Sequence, residues 1–287
     1  MKNDTKKEEL YFAISDLACE RRHADVGIPG IEFSKEICPG YTWERLTVTS
    51  DAGAKSIGRP MGRYDTLTLQ RMETLGDCEI ETAAGLVGEE LEGMIGRNFN
   101  GRLLVVGLGN SAITADAVGP KTAASVKPTK HIKELSPDTF AKLDCAEISV
   151  VIPGVMATSG LDAYDIVSGI CERTRPDLII AIDALAARSE KRLGRTIQIS
   201  NTGIFPGSGI GGGRTPLNEK TLGIPVFAVG VPTVINAEVF KEGLHEKGEG
   251  ERKNTEAMFV SPKEIDDITV TSAKIIALGI NKTFGIV

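Results

Sequence analysis

Four short apolar runs, each about as long as a buried strand, constrain the fold of this chain more than any other feature. They are LLVVGL (103–108), AEISVVIPG (146–154), DLIIAID (177–183) and IPVFAVG (224–230). Continuous apolar, β-branched runs are typical of parallel strands buried on both faces. Apolar residues at helical spacing over 160–175, ended by Pro176, complete a strand–helix–strand unit. We therefore predict an α/β fold, with a mostly parallel sheet flanked by helices on both faces.

Other segments carry weaker structural signals. TIQIS (196–200) alternates cleanly and predicts a further strand nearer an edge of the sheet. Ser261-Pro262-Lys263-Glu264 has the pattern of a capping box and predicts the start of a C-terminal helix. Residues 1–10 are expected to form a mobile tail and residues 241–256 an exposed loop, because both are rich in charged side chains.

Charge and hydropathy narrow the range of functions. The net charge is −6, with 33 basic and 39 acidic residues mixed along the chain, so we expect no direct contact with nucleic acid. No run approaches the roughly 18 apolar residues of a membrane span, and the charged N-terminus does not resemble a secretion signal. Five scattered cysteines without C-x-x-C spacing predict reduced, structural thiols in a cytoplasmic protein.

The glycine-rich turn after the first apolar run has two possible interpretations. Gly107, Gly109 and Ala112 fit the permissive pattern of a dinucleotide-binding turn. That motif also requires an acidic residue about 20 positions later at the end of a second strand, and VKPTKHIKE stands there instead. Asp116 would also place a carboxylate at the helix start that a pyrophosphate would need. We therefore expect no nucleotide cofactor, and interpret the turn as a mount for Asp116.

Asp116 and Asp183 both follow predicted parallel strands. Sites in such sheets form beyond the carboxyl ends of the strands, so the two aspartates are candidates for one crevice. Each could instead be an ordinary helix N-cap. Two close carboxylates cannot both ionise easily, so one keeps a proton while the other acts as a base, a combination that can hydrolyse a peptide bond. A metal held by the same carboxylates is the alternative. Serine chemistry is less well supported, because Ser208 lacks a G-x-S-x-G context. The zinc-protease motif H-E-x-x-H is absent as well.

Longer motifs carry a specific resemblance. In chain order they are GLGNSAITADAVGP, PTKHI, IPGVMATSG, PDLIIAIDALAARS, TIQISNTGIFPGSGIG and LGIPVFAVGVPTVINA. Together they strongly resemble the germination protease family of endospore-forming bacteria, and the similarity runs from ISDLACE to SPKEIDDIT. The core of that family is similar to that of the hydrogenase-maturation endopeptidases, which implies a phosphorylase/hydrolase-like α/β sandwich.

The resemblance implies an activity and a setting. It implies a cytoplasmic endopeptidase of the spore core that degrades small acid-soluble spore proteins during germination, and that is made as a homotetrameric, self-processing zymogen. The family's two essential aspartates fall on Asp116 and Asp183, and its G-x-G-N turn on Gly107, Gly109 and Asn110. No cofactor and no metal are implied.

ISDLACE (14–20) resembles the family's processing sequence. The resemblance places the cleaved bond between Asp16 and Leu17, which implies a propeptide of residues 1–16 and a single α/β protease domain of residues 17–287. The alternative is that residues 11–20 form only an amphipathic docking segment.

Several positions are weaker candidates or depart from the family pattern. His131 could bind substrate or orient a carboxylate, or could be an ordinary packed or surface histidine. Ala115 stands where the family has proline, and Asn201 and Asn236 stand where it has acidic residues. The Gly209–Gly212 loop also differs. Two alternatives therefore stay open: a metal-dependent, maturation-type endopeptidase, and a catalytically silent relative that binds spore proteins.

Overall fold

A computed structural model describes residues 15–21, 27–206, 214–237 and 258–286. The expectations for residues 1–10, 209–212 and 241–256 lie outside these ranges.

The strands of the described residues form one mixed sheet. They are β1 (Ile31–Cys38), β2 (Tyr41–Val48), β3 (Gly62–Leu69), β4 (Arg102–Leu108), β5 (Glu147–Gly154), β6 (Leu178–Ala187), β7 (Thr196–Ser200), β8 (Val226–Asn236) and β9 (Phe259–Val260). Their order is β1-β2-β3-β7-β8-β6-β4-β5, and β9 pairs with β8. β8, β6, β4 and β5 are parallel to one another, as the four apolar runs predict, and the other pairings are antiparallel.

Helices cover both faces of this sheet. They are α1 (Asp51–Ile57), α2 (Asp77–Ile95), α3 (Val118–Ser125), α4 (Lys130–Leu135), α5 (Pro137–Leu143), α6 (Met156–Ser159), α7 (Ala163–Thr174), α8 (Glu219–Leu222) and α9 (Ile265–Thr283). Helices α2 and α9 pack in the core on one face, and α7 packs in the core on the other. The α/β class with helices on both faces is confirmed, and the sheet is mixed because β1, β2, β3 and β7 extend it with antiparallel pairs.

Three predicted elements have different limits or places in the structure. The strand expected to end at Asp183 continues to Ala187, so this aspartate lies inside β6. The prediction that residues 196–200 lie near an edge is wrong, because β7 lies between β3 and β8 and is buried throughout. The C-terminal helix begins at Ile265, after the predicted cap, and its N-cap residue Glu264 makes no side-chain cap hydrogen bond.

Alternation along β6 sets which residues face each core. Ile180 and Ile182 lie in the core beneath α2 and α9, whereas Ile179, Ala181 and Leu185 lie in the core beneath α7. Asp183 therefore points to the second face, because successive side chains of a strand alternate.

The central position of β6 makes its core residues sensitive to truncation. Ile180 is 0 % exposed, so Ile180→Ala is expected to lower the free energy of unfolding by about 2–5 kcal/mol. Urea denaturation measures this change. Ile37→Ala is the matched control, because Ile37 is 77 % exposed, and we expect it to change stability by less than about 0.5 kcal/mol.

None of the helices in the described ranges has the length and apolar character that a membrane crossing requires.

Candidate active site

A cleft of about 400 Å³ opens where β4, β6 and β8 approach their carboxyl ends. Asp116 and Asp183 both line it. The structure thus brings together the two aspartates that the sequence singles out, in the kind of crevice predicted for an open parallel sheet. Neither is a helix N-cap, since the N-cap of α3 is Ala117 and Asp183 lies within β6.

The glycine-rich turn holds Asp116 in place. The backbone N–H of Asn110 donates to Oδ2 of Asp116 at 2.8 Å and to the carbonyl oxygen of Asp116 at 3.1 Å. Gly109 has φ +113°, and a Cβ there would lie 2.1 Å from the Asp116 carbonyl oxygen. Only glycine permits both this backbone conformation and this close approach. The turn is therefore a mount for the carboxylate.

Gly107 permits close packing of a helix on β4, whereas Gly109 permits the turn that holds Asp116. It lies inside β4, where a Cβ would come within 2.4 Å of the carbonyl oxygen of Gly119 in α3. Gly119 in turn approaches the carbonyl oxygen of Leu108 so closely that a Cβ would lie 2.1 Å from it. The two glycines let α3 pack directly on β4, which fixes the helix that follows Asp116.

Both aspartates have raised pKa values. Burial raises the pKa of Asp183 well above its usual range, and the nearby charge of Asp116 raises it further. Burial also raises the pKa of Asp116, while the hydrogen bond from Asn110 and the charge of Arg214 lower it. Asp183 is 7 % exposed and Asp116 is half-buried. The surroundings therefore favour a proton on Asp183 and negative charge on Asp116, which are the states of an acid and a base.

Gly109→Ala is expected to abolish most of the activity of the site, because the new methyl group must displace Asp116. Backbone strain at φ +113° adds about 1–3 kcal/mol of destabilisation. Gly169→Ala in α7 is the control, since a Cβ there meets nothing within 4 Å and alanine favours a helix by about 1 kcal/mol. Thermal melting and a peptidase assay on both variants check this, and a fully active Gly109→Ala enzyme would contradict the assigned role.

The segment around Asp16 and Leu17 docks into the same cleft. Asp16 is 8 % exposed and lines the cleft, and Leu17 is fully buried in the core beneath α7. The backbone N–H of Asp16 donates to the carbonyl oxygen of Ala186 at 2.8 Å, and its Oδ2 accepts from the N–H of Ala186 at 2.9 Å. Glu20 anchors the end of the segment by accepting from the N–H groups of Arg188 and Ser189.

His131 does not lie in the cleft. It is exposed on α4, next to Thr129, which hydrogen-bonds to Ala146 and Ile148 at the amino end of β5. The cleft lies at the carboxyl ends of the parallel strands, so the suggestion that His131 orients a carboxylate is wrong for this arrangement. His131 is close to Asp116 in the sequence but not in space, because α3 lies between them and carries the chain to the other end of the sheet.

Among the three departures from the family pattern, Ala115 lines the cleft. Asn201 accepts a hydrogen bond from the backbone N–H of Arg63 at 2.8 Å, and Asn236 pairs with Phe259 at the end of β8. Asn201 thus has a role in holding β3.

Other nucleophiles and ligand sets find little support in the part of the chain that the structure describes. No cluster of three or more His, Cys, Asp or Glu residues there could hold a metal ion. The five cysteines are free thiols, and burial raises the pKa of Cys19 to about 11, which keeps it protonated. Ser208 lies outside the described residues.

Three polar residues of the cleft have no signal in the sequence: Arg59, Gln198 and Arg214. Arg59 follows Gly58, the C-cap of α1, and Gln198 lies within β7, and both contact the segment around Asp16. Arg214, the first residue of the described range 214–237, lowers the pKa of both aspartates through its charge. Each is distant in the sequence from the residue it affects, so no local pattern could have identified it.

Comparison with known proteins gives one consistent family. The family model described as germination protease matches residues 13–243. A germination protease of Clostridium perfringens is 35% identical over 95% of this chain and 95% of its own length. The one from Caldanaerobacter subterraneus is 34% identical over 93% of this chain and 92% of its own. Among solved structures, a NiFe hydrogenase maturation protease from Thermococcus kodakarensis has 18% identity and a TM-score of 0.33, covering 63% of this chain and 92% of that one.

Proposed function

The chain belongs to the germination protease family, whose members are peptidases of spore germination, and we propose that it hydrolyses peptide bonds with Asp116 and Asp183 as the water-activating pair. The observation that carries the proposal is that the two carboxyl groups share one cleft, in which burial raises the pKa of both and the charge of Asp116 raises that of Asp183 further. In such a pair one carboxyl group is protonated and acts as the acid, while the other is ionised and acts as the base.

The proposed reaction assigns a role to each group. Asp116 in its ionised form takes a proton from a water molecule, whose oxygen attacks the carbonyl carbon of the peptide bond. The C–N bond then breaks, and the proton of Asp183 passes to the leaving nitrogen. The products are a carboxyl group and an amine. Transfer of the proton from Asp116 to Asp183 then restores the starting protonation states of the pair.

The proposed substrates are the small acid-soluble spore proteins and the chain's own Asp16–Leu17 bond. The docked segment supports the second, since Asp16 lines the cleft and its backbone N–H donates to Ala186 of β6. We further propose that residues 1–16 are a propeptide, that residues 17–287 act as one protease domain, and that the protein works as a homotetramer in the cytoplasm of the spore core. The reaction as proposed needs no cofactor, nucleic acid or membrane.

Incubation of the full chain with a purified small acid-soluble spore protein at mildly acidic pH, with and without a chelator, tests this function. The proposal predicts cleavage at discrete bonds that the chelator does not change. Loss of cleavage with the chelator would favour the metal-dependent alternative. Binding without cleavage would favour a catalytically silent relative.

A further inference from the structure

The carbonyl oxygen of the Asp16–Leu17 bond has charged and polar donors of its own. Nη2 of Arg59 donates to the backbone oxygen of Asp16 at 2.6 Å, and Nε2 of Gln198 donates to the same oxygen at 3.4 Å. The Arg59 side chain is 12% exposed and Gln198 is 9% exposed. A guanidinium that is largely removed from water polarises a carbonyl group more strongly than a hydrated one.

Contacts on both sides hold this bond in register. Oε1 of Gln198 accepts from the N–H of Ala18 at 2.7 Å, so one side chain binds the residues before and after Leu17. Ala186 binds Asp16 through both its N–H and its carbonyl oxygen. The bond is therefore held from both sides, with its carbonyl oxygen directed at Arg59.

Strand register places Gln198 on the same face of the sheet as Asp183. Gln198 pairs with Gly230 across β7 and β8, and Gly230 pairs with Asp183 across β8 and β6. Directly paired residues point to the same face, and two strand spacings separate the two side chains by about 10 Å. The intervening residue is Gly230, and the side chain of Leu185 fills the space that a Cβ there would occupy.

We propose that Arg59, assisted by Gln198, stabilises the negative charge that develops on the carbonyl oxygen during cleavage, first at the Asp16–Leu17 bond and afterwards at the corresponding bond of protein substrates. This inference rests on the proposed function. When water oxygen bonds to the carbonyl carbon, the C=O electron pair moves onto oxygen, where Arg59 donates to it. When the electron pair returns, the C–N bond breaks and the amine takes its proton from Asp183. Arg59 thus supplies the electrostatic stabilisation that neither aspartate supplies.

Self-processing of the full chain, followed by intact mass at mildly acidic pH, tests the proposal. Loss of one preorganised donor of this type lowers a rate by about 100-fold or more, so we expect that decrease for Arg59→Ala and a smaller one for Arg59→Lys. Gln198→Glu keeps an acceptor for the N–H of Ala18 and loses the donor to Asp16, and we expect it to process more slowly than the parent.

Arg21→Ala is the matched control. The Arg21 guanidinium donates at 2.6 Å to the carbonyl oxygen of Ser15, one residue before the bond, so its loss loosens the same segment without touching the reacting oxygen. We expect the rate of Arg21→Ala to exceed that of Arg59→Ala by at least about tenfold. Equal rates for the two variants would show that Arg59 is only an anchor.

Hydrogen exchange separates docking from catalysis. With Asp183→Asn added to keep the chain intact, the amides of Asp16 and Ala18 are expected to stay protected when Arg59 is replaced by lysine. Loss of their protection would assign Arg59 to docking and overturn the proposal. A processing rate equal to that of the parent in Arg59→Ala would also overturn the proposal.

If Asp183→Asn alone is trimmed like the parent, or the parent is not trimmed at all, the proposed function fails as well. An inert Asp183→Asn with a fast Arg59→Ala contradicts this inference alone.

Discussion

Asp116→Asn is expected to lower the rate of peptide-bond hydrolysis by about 1000-fold, because it removes the base that takes the proton from water. The amide keeps an oxygen that can accept the hydrogen bond from the backbone N–H of Asn110, which lies 2.8 Å from Oδ2 of Asp116. The turn therefore keeps its geometry while the chemistry is lost. Cleavage of a small acid-soluble spore protein by parent and variant at the same pH measures the effect.

Asp177→Asn provides the control for this prediction. Asp177 pairs with Arg102 at the amino end of β6, away from the cleft, and about half of its side chain is exposed to solvent. Replacing it removes one aspartate of the same charge, and we expect an activity within about twofold of the parent, since exposed pairs contribute little to stability. An Asp116→Asn enzyme as active as Asp177→Asn would remove Asp116 from the mechanism.

Activity is expected to reach its maximum between the two pKa values of the aspartate pair and to fall on both sides. The pKa of Asp183 is raised by burial and by the charge of Asp116, so its proton is retained to a higher pH than in an ordinary carboxyl group. As pH rises through that pKa the acid is lost, and the rate falls by about tenfold for each further pH unit. As pH falls through the pKa of Asp116 the base becomes protonated, and the rate falls again.

The two limbs of this profile belong to the pair as a whole, because two interacting carboxyl groups titrate together. Initial rates of spore-protein cleavage over a range of pH, with folding checked at each pH by circular dichroism, measure the profile. A rate that keeps rising through neutral into alkaline pH would point to a different nucleophile, such as a thiolate or a metal-bound hydroxide.

The parallel half of the sheet could be predicted from the sequence, and the antiparallel half could not. β4, β6 and β8 are almost entirely buried, β5 lies at the edge and is partly exposed, and all four form mainly apolar runs. β1 and β2 carry charged residues such as Lys35, Glu44 and Arg45, whose partners lie on neighbouring strands or helices. Their apolar pattern is too weak to predict strands, and without them β7 looks like an edge.

The candidate site likewise contains residues that could be predicted from the sequence and residues that could not. Asp116 and Asp183 follow or lie on strands that the sequence identifies, so parallel-sheet topology was sufficient to predict that they meet. Asp183 lies within β6 because β6 pairs with β8 as far as Ile235, and the length of that pairing is a tertiary property. Arg59 and Gln198 reach the Asp16 carbonyl from 43 and 182 residues away, distances at which a sequence pattern carries no information.

The Asp183→Asn substitution is expected to remove activity and to raise the free energy of unfolding at neutral pH. The pKa of Asp183 is higher in the folded chain than in an unfolded one, so the folded protein binds this proton more tightly. The associated stabilisation is fully present below the unfolded pKa and is lost as pH rises through the folded pKa. Asparagine stays neutral at every pH, so we expect the variant to have a higher free energy of unfolding than the parent at neutral pH. Loss of its activity cannot then be assigned to misfolding.

Intact mass against time at mildly acidic pH, for the full chain and for Asp183→Asn, tests whether the two aspartates catalyse cleavage. We expect the parent to lose residues 1–16 and leave a chain that begins at Leu17, while the variant keeps its full mass. Trimming of both proteins at the same rate would show that the aspartate pair is not the catalyst.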